Sequence, residues 1–252
     1  MRQNFYSEYY AVEDKHWWFI GRRRVLLRLL DLYFRPPSSQ PREILDVGCG
    51  TGTMLQYLTR YGSAMGVDAD ENAVSFCKQR GVDNVELFDG HRLPFPDESF
   101  NLVTMFDVLE HIEDDRSAVM EVFRVLKPGG TFMLTVPAYA FLWGPQDEIS
   151  LHKRRYVATE LRWRISEQSF KIVKLSYFNT FLFPGIAAIR LLRRLVPSRR
   201  GVVASLKSDF TLTRRGPLNS LLAMLFGSER FIVGRLNVPF GVSIVCIARR
   251  PF

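Results

Sequence analysis

The stretch Asp46-Val47-Gly48-Cys49-Gly50-Thr51-Gly52 constrains this chain more than any other. It follows a short apolar run, residues 43–47, and precedes a segment of helical character, 53–61. Glycines at alternate positions let the backbone turn tightly and approach a ligand with no Cβ in the way. The helix that follows turns its free N–H groups toward that ligand. Asp68 stands twenty residues after Gly48, at the end of the next apolar run (64–67). A carboxylate there can accept both hydroxyls of a ribose. A dinucleotide site normally needs G-x-G-x-x-G, because the pyrophosphate sits over the helix start. Here the spacing is G-x-G-x-G, and Asp46 lies directly under the loop, where it would repel a pyrophosphate. Asp46 would instead orient a cationic amino group.

The pattern around this loop predicts an α/β fold. Strands are expected at 43–47, 64–67, 85–88, 100–106 and 131–136, and helices at 21–34, 53–61, 72–80 and 115–126. Lys127-Pro128-Gly129-Gly130 should end the last of these helices. Strands separated by helix-length segments imply a parallel sheet with its functional loops along one edge. Beyond Pro137 the pattern changes, with strands expected only at 170–177 and 242–248. A chain of 252 residues that is 47% hydrophobic can bury a sizeable core.

The net charge of +8 is localised. Residues 178–241 hold ten basic side chains (Arg190, Arg193, Arg194, Arg199, Arg200, Lys207, Arg214, Arg215, Arg230, Arg235) against Asp209 and Glu229, and ten minus two accounts for the surplus. Pro184 and Pro197 bracket a helix on which Arg190, Arg193 and Arg194 share a face, with Ile186, Ile189, Leu192 and Val196 on another. The same stretch carries Phe181, Leu182, Phe183, Phe210, Leu218, Leu221, Leu222, Leu225, Phe226 and Phe231. Apolar bulk with basic charge suits an anionic membrane surface. The arginines are mixed with aliphatics rather than with exposed stacking aromatics, so nucleic acid is the least favoured partner. Cys49, Cys77 and Cys246 have no metal-ligand spacing. An odd cysteine count behind a polar, aromatic N-terminus leads us to expect a cytoplasmic setting, with peripheral contact at the inner membrane face.

Residues 44–136 resemble class I S-adenosylmethionine-dependent methyltransferases of the small-molecule "type 11" kind. The matching segments are LDVGCGTG (45–52), GVDAD (66–70), FDG (88–90), FPDESFNLV (95–103), FDVLEHIED (106–114) and RVLKPGGTFMLTVP (124–137). The resemblance implies a Rossmann-like sheet of seven strands, mostly parallel with the last antiparallel. It implies that Asp46 and the loop residues Gly48, Cys49, Gly50 and Gly52 hold the methionine part of S-adenosylmethionine. Asp68 would bind the ribose, Ala69 would flank the adenine, Asp89 and Gly90 would cap its edge, and Phe106 would lie beside the cofactor. The segment His16-Trp17-Trp18-Phe19-Ile20-Gly21-Arg22-Arg23 resembles an H-W-x-F-x-x-R-R segment of a bacterial subgroup. Residues 1–38, ending in the breaker Pro36-Pro37, would form a helical lid. Trp17 and Trp18 would close over the substrate, and Arg22 would pair with the cofactor carboxylate. The methyltransferase domain would be 39–177 with 242–252, and 178–241 a helical insertion between the last two strands, serving as a cap or a membrane contact.

Asp107, Glu110 and His111 fall at i, i+3 and i+4. They resemble the E-x-x-E-H pattern of metal-using O-methyltransferases of the ubiquinone pathway and of small RNAs. Asp107 replaces the first Glu, so a site without a divalent metal is favoured over one with it. Asp107 and His111 are also candidates for taking a proton from a hydroxyl. His152-Lys153-Arg154-Arg155-Tyr156 resembles a substrate-covering loop of some members. There His152 would be a base, and Arg154, Arg155 and Tyr156 would join Tyr139 in holding the substrate. These features lead us to expect methyl transfer to a small-molecule acceptor, a hydroxyl of a lipid-linked, glycan-like or secondary-metabolite compound. Amine and carbon acceptors, and a non-catalytic cofactor-binding role, stay as alternatives.

Overall fold

The computed structural model describes residues 5–34, 42–195 and 216–252. Pro36-Pro37, Val196, Pro197, Phe210, Asp209 and the basic residues at 199, 200, 207, 214 and 215 lie outside them, as do the side chains of Arg193 and Arg194. The sheet has seven strands: β1 (Glu43–Val47), β2 (Ser63–Asp68), β3 (Val85–Leu87), β4 (Phe100–Phe106), β5 (Leu126–Pro137), β6 (Lys171–Phe178) and β7 (Ser243–Arg249). Their order is β3-β2-β1-β4-β5-β7-β6. The first five run parallel, and β7 enters antiparallel between β5 and β6. This is the sheet expected above. The order reverses at β1 and β4, so the loops after those strands open a crevice at their C-terminal ends.

The expected strand 131–136 is longer at both ends. β5 starts at Leu126, directly after helix α5 (Asp115–Val125). Phe100 pairs with Leu126 but Leu102 with Thr131, so Lys-Pro-Gly-Gly forms an irregularity within the strand rather than a loop before it.

Two apolar layers cover the sheet. On one face, Val119, Val122 and Val125 of α5 and Leu161 and Ile165 of α7 (Ala158–Glu167) pack on the strands. On the other face lies α2 (Trp17–Tyr33), which buries Phe19, Arg22, Val25, Leu26, Leu29 and Leu30. The spacing 19-22-26-29-30 is a single helical stripe. The helix begins four residues before the expected start, because the His16 side chain accepts the Trp18 N–H and caps it. Ahead of it is α1 (Phe5–Val12), and α3 (Thr53–Leu58) and α4 (Glu71–Gln79) follow β1 and β2.

The insertion is built into this same layer rather than standing apart. It contributes α8 (Phe183–Leu195), α9 (Pro217–Ser228) and α10 (Arg230–Val233). α9 lies on α2: Phe226 is fully buried, and a Cβ added to Gly21 would come within 2.4 Å of its ring. Phe226 also stacks on Phe178, with ring centroids 6.0 Å apart. Asn219 accepts the Trp17 N–H at 2.8 Å and donates to the Lys15 carbonyl at 2.9 Å, so it fastens the start of α2. Lid and insertion therefore form one packed unit. Phe181, Leu218, Leu221, Leu225 and Phe231 are exposed, Leu182, Phe183 and Leu222 partly buried. Among the described residues no helix is long and apolar enough to cross a membrane.

Phe226→Ala should cost about 3–5 kcal/mol in denaturant unfolding, because it empties a fully buried site. Gly21→Val should also destabilise, through overpacking against the same ring.

Candidate active site

A cavity of about 1140 Å³ opens over the C-terminal ends of β1, β2 and β4, walled by α1 and α2 on one side and by α8 and α9 on another. Its floor is the glycine turn. Gly48 has φ +68°, and a Cβ there would meet Val108 at 2.4 Å, so a side chain is doubly excluded. Gly50 has φ +57°, and a Cβ there would meet no protein atom within 4 Å. That opening is where a ligand can lie against the backbone. Asp68 holds the turn in place, accepting the Gly50 N–H at 2.9 Å and the Asp70 N–H at 3.0 Å.

Buried carboxylates dominate the floor. Asp46 accepts the Thr104 hydroxyl at 2.6 Å, and burial pushes its carboxyl up to about 7. Burial also raises Asp68 and Glu13. Glu110 is fully buried, with neither oxygen hydrogen-bonded among the described residues, and burial holds it well above the usual carboxylate range. Three guanidiniums balance other acids. Arg22 pairs with Asp107 at 2.7 Å and donates to Thr135 Oγ1, which itself donates to Asp107. Arg80 pairs with Glu13, which also accepts the Thr51 hydroxyl, so the end of α1 is fastened to the glycine turn. Arg155 grips Asp147 through both oxygens, at 2.8 and 3.0 Å.

A second cluster lies deeper. His152 Nδ1 is 2.8 Å from Asp147 Oδ1, and its Nε2 is 3.9 Å from Glu110 Oε1. The rings of His111 and His152 meet edge to face at 4.7 Å. One ligand atom from each of Glu110, His111 and His152 falls within 4.8 Å of the others. Burial, followed by His152, drives His111 down to about 3. Burial alone would raise Asp147, but hydrogen bonds from His152 and Arg155 outweigh it and hold the carboxyl at about 2.

The structure brings most of the expected residues to this cavity. Asp46, Gly48, Cys49, Gly50, Asp68, Ala69, Asp89, Gly90, Phe106 and Arg22 line it, as do Trp17, Trp18, Asp107, His111, His152 and Arg155. Four do not. Gly52 caps α3 behind the turn, against Cys77. Tyr139 stacks on Tyr177 at 5.1 Å and touches Phe183, supporting α8 from beneath. Tyr156 is fully buried, its hydroxyl 2.9 Å from Asp115, and Arg154 binds the same acid and the Glu113 carbonyl. The expected substrate contacts of Arg154 and Tyr156 are thus replaced by anchoring contacts, because the buried Asp115 draws both inward. Asp107 is engaged with Arg22 rather than grouped with Glu110 and His111. Glu13, Arg80 and Asp147 were not anticipated. Their only signal in the sequence is an acid close to His16 or His152, or an arginine after α4.

A sulfonium cofactor with a cationic amine fits the residues present. Asp46 and Asp68 are buried acids without a guanidinium partner among the described residues, Arg22 Nε is buried and has no hydrogen-bond acceptor there, and Gly50 leaves its face open. Residues 45–134 match the family model described as a methyltransferase domain. A protein of Mycolicibacterium smegmatis named "probable S-adenosylmethionine-dependent methyltransferase" is 30% identical over 167 residues, 64% of this chain and 62% of its own. The phthiotriol/phenolphthiotriol dimycocerosates methyltransferase of Mycobacterium tuberculosis is 37% identical over 143 residues, 53% and 50% of the two chains. The crystal structure of YcgJ from Bacillus subtilis superposes with a TM-score of 0.55 at 19% identity, covering 92% of this chain and 99% of that one. The chain spans about half the length of the curated relatives it matches.

Asp68→Ala should weaken S-adenosylmethionine binding at least tenfold in calorimetric titration, about 1.4 kcal/mol. A cationic amine binds only ionised Asp46, so affinity should fall as pH drops below about 7, with proton release on binding. Glu13→Ala should weaken binding by loosening α1 from the turn, and protease nicking near residue 13 should rise with it. Residues 45–134 thus match a methyltransferase domain, and the seven-stranded sheet around them has the fold of class I S-adenosylmethionine-dependent methyltransferases.

Proposed function

We propose that the protein transfers a methyl group from S-adenosylmethionine to a hydroxyl oxygen of a small-molecule acceptor, with His152 taking the hydroxyl proton. The carrying observation is the Asp147–His152 pair. Asp147 is ionised near neutral pH and can only accept, so His152 Nδ1 must donate to it. The Nε2 lone pair is then left toward Glu110 and the cleft. Arg155, bound to both Asp147 oxygens, fixes the carboxylate that orients the ring. The cofactor supplies a methyl on sulfonium, a leaving group that needs no acid. The remaining tasks are alignment of the acceptor and removal of its proton. Trp17, Trp18, Ile186, Ile189 and Leu222 give the acceptor an apolar wall, which suits a lipid-linked molecule. The relative named for phthiotriol dimycocerosates, a hydroxylated acceptor by its name, supports the same class.

A second reading has one observation of its own. The mutual approach of Glu110, His111 and His152 would also suit a divalent cation. Chelator-sensitive turnover restored by added metal would favour it, and turnover indifferent to chelator would remove it.

With a hydroxylated acceptor, His152→Ala should lower kcat by roughly 10²–10⁴-fold while leaving cofactor affinity within about twofold. Asp147→Asn should lower kcat in the same direction and leave KM nearly unchanged. Full activity of His152→Ala would overturn the proposed base and direct the search to amine acceptors.

A further inference from the structure

We propose that the outer faces of α8 and α9 are a docking surface for an anionic lipid bilayer, placed so that the cleft mouth opens onto the membrane. Helix α9 carries no charged residue and is apolar on both sides. Its inner face buries Ala223 and Phe226, while Leu218, Leu221 and Met224 on the other side are 54–61% exposed. A surface helix of a water-soluble domain ordinarily has a polar outer face, and exposed apolar bulk of this kind marks an interaction surface. Phe231 and Leu236 after α9, and Leu192 on α8, are likewise exposed, while Ile189 of α8 is exposed at the cleft wall.

The charge around this surface selects the occupant. The aliphatic stems of Arg24 and Arg28 on α2 approach Gly227 and Gly234. Arg230 lies over the Phe231 ring at 4.6 Å, and Arg235 is exposed. The described acid of the insertion, Glu229, is turned inward to accept the Phe181 N–H. Apolar side chains rimmed by guanidiniums match a bilayer carrying anionic headgroups. Such contact would be interfacial, since no described helix is long and apolar enough to cross.

The same two helices wall the cleft. Ile186, Ile189 and Arg190 of α8 and Leu222 of α9 line it. An acceptor held in the bilayer would therefore meet an apolar path from the surface to the floor. Identifying that floor as the reaction site rests on the methyltransferase reading, whereas the docking surface does not.

The test is flotation of the full chain with vesicles of phosphatidylglycerol and phosphatidylcholine, against vesicles of phosphatidylcholine alone. S-adenosylmethionine titration is run on every sample. The wild type should float with the anionic vesicles at low salt and not with the neutral ones. Combined Leu221→Ser and Met224→Ser should reduce the floated fraction at least tenfold with cofactor affinity unchanged, and Arg230→Gln with Arg235→Gln should reduce it too. Trp163→Ser, an exposed apolar site on α7, should float like the wild type. The proposal is overturned if the wild type stays unbound, or if the α9 double variant floats equally. It is also overturned if sedimentation shows a dimer that this variant dissociates, because a second copy would then cover the face. Flotation without cofactor binding would keep the docking surface and sink the methyltransferase reading.

Discussion

The cleft is organised by an excess of buried carboxylates over guanidiniums. Arg22 holds Asp107, Arg80 holds Glu13 and Asp14, and Arg155 holds Asp147, while Arg80 and Arg155 also bind the backbone carbonyls of Thr51 and Ala138. Asp46, Asp68 and Glu110 have no such partner among the described residues, and burial raises all three. Uncompensated buried acids are costly unless protonated or matched by a cation. A ligand bearing a sulfonium and an ammonium relieves that cost at the place where the glycine turn leaves room for it. The cofactor's positive charges are thus complementary to this cradle.

Lid, turn and insertion are coupled through a few contacts. Glu13 links α1 to the Thr51 hydroxyl and to Arg80. Asn219 ties α9 to the start of α2, and Phe226 fills the space that Gly21 leaves. The aromatic segment Trp17-Trp18 that lines the cleft is therefore positioned by the helix that forms part of its other wall. Disturbing the buried contacts of α9, at Phe226 or Asn219 but not on its exposed face, should be felt across the cleft, because both walls share one packed layer.

The two histidines of the cleft differ in environment. His111 is buried and driven to remain neutral, whereas His152 is oriented by an ionised acid. That difference cannot be read from spacing, since burial sets His111 apart and the Asp147 partner is fixed only once the segments are packed. His152 reaches Glu110 because the segment after β5 folds back, with the Lys153 N–H donating to the Glu110 carbonyl.

Local sequence was enough to establish the alternating strands, the glycine turn, Asp46 and Asp68, because each depends on backbone conformation or on a neighbour close along the chain. It also showed where the basic charge lies. Tertiary structure alone decided which side chains meet across long separations. It turned Tyr156 and Arg154 inward onto Asp115, set Arg22 on Asp107, and brought His152 to Glu110. It also merged the insertion with the lid through Phe226 and Gly21, more than two hundred residues apart. Such pairings arise when the sheet brings distant segments to one edge, where burial of a few polar groups selects their partners.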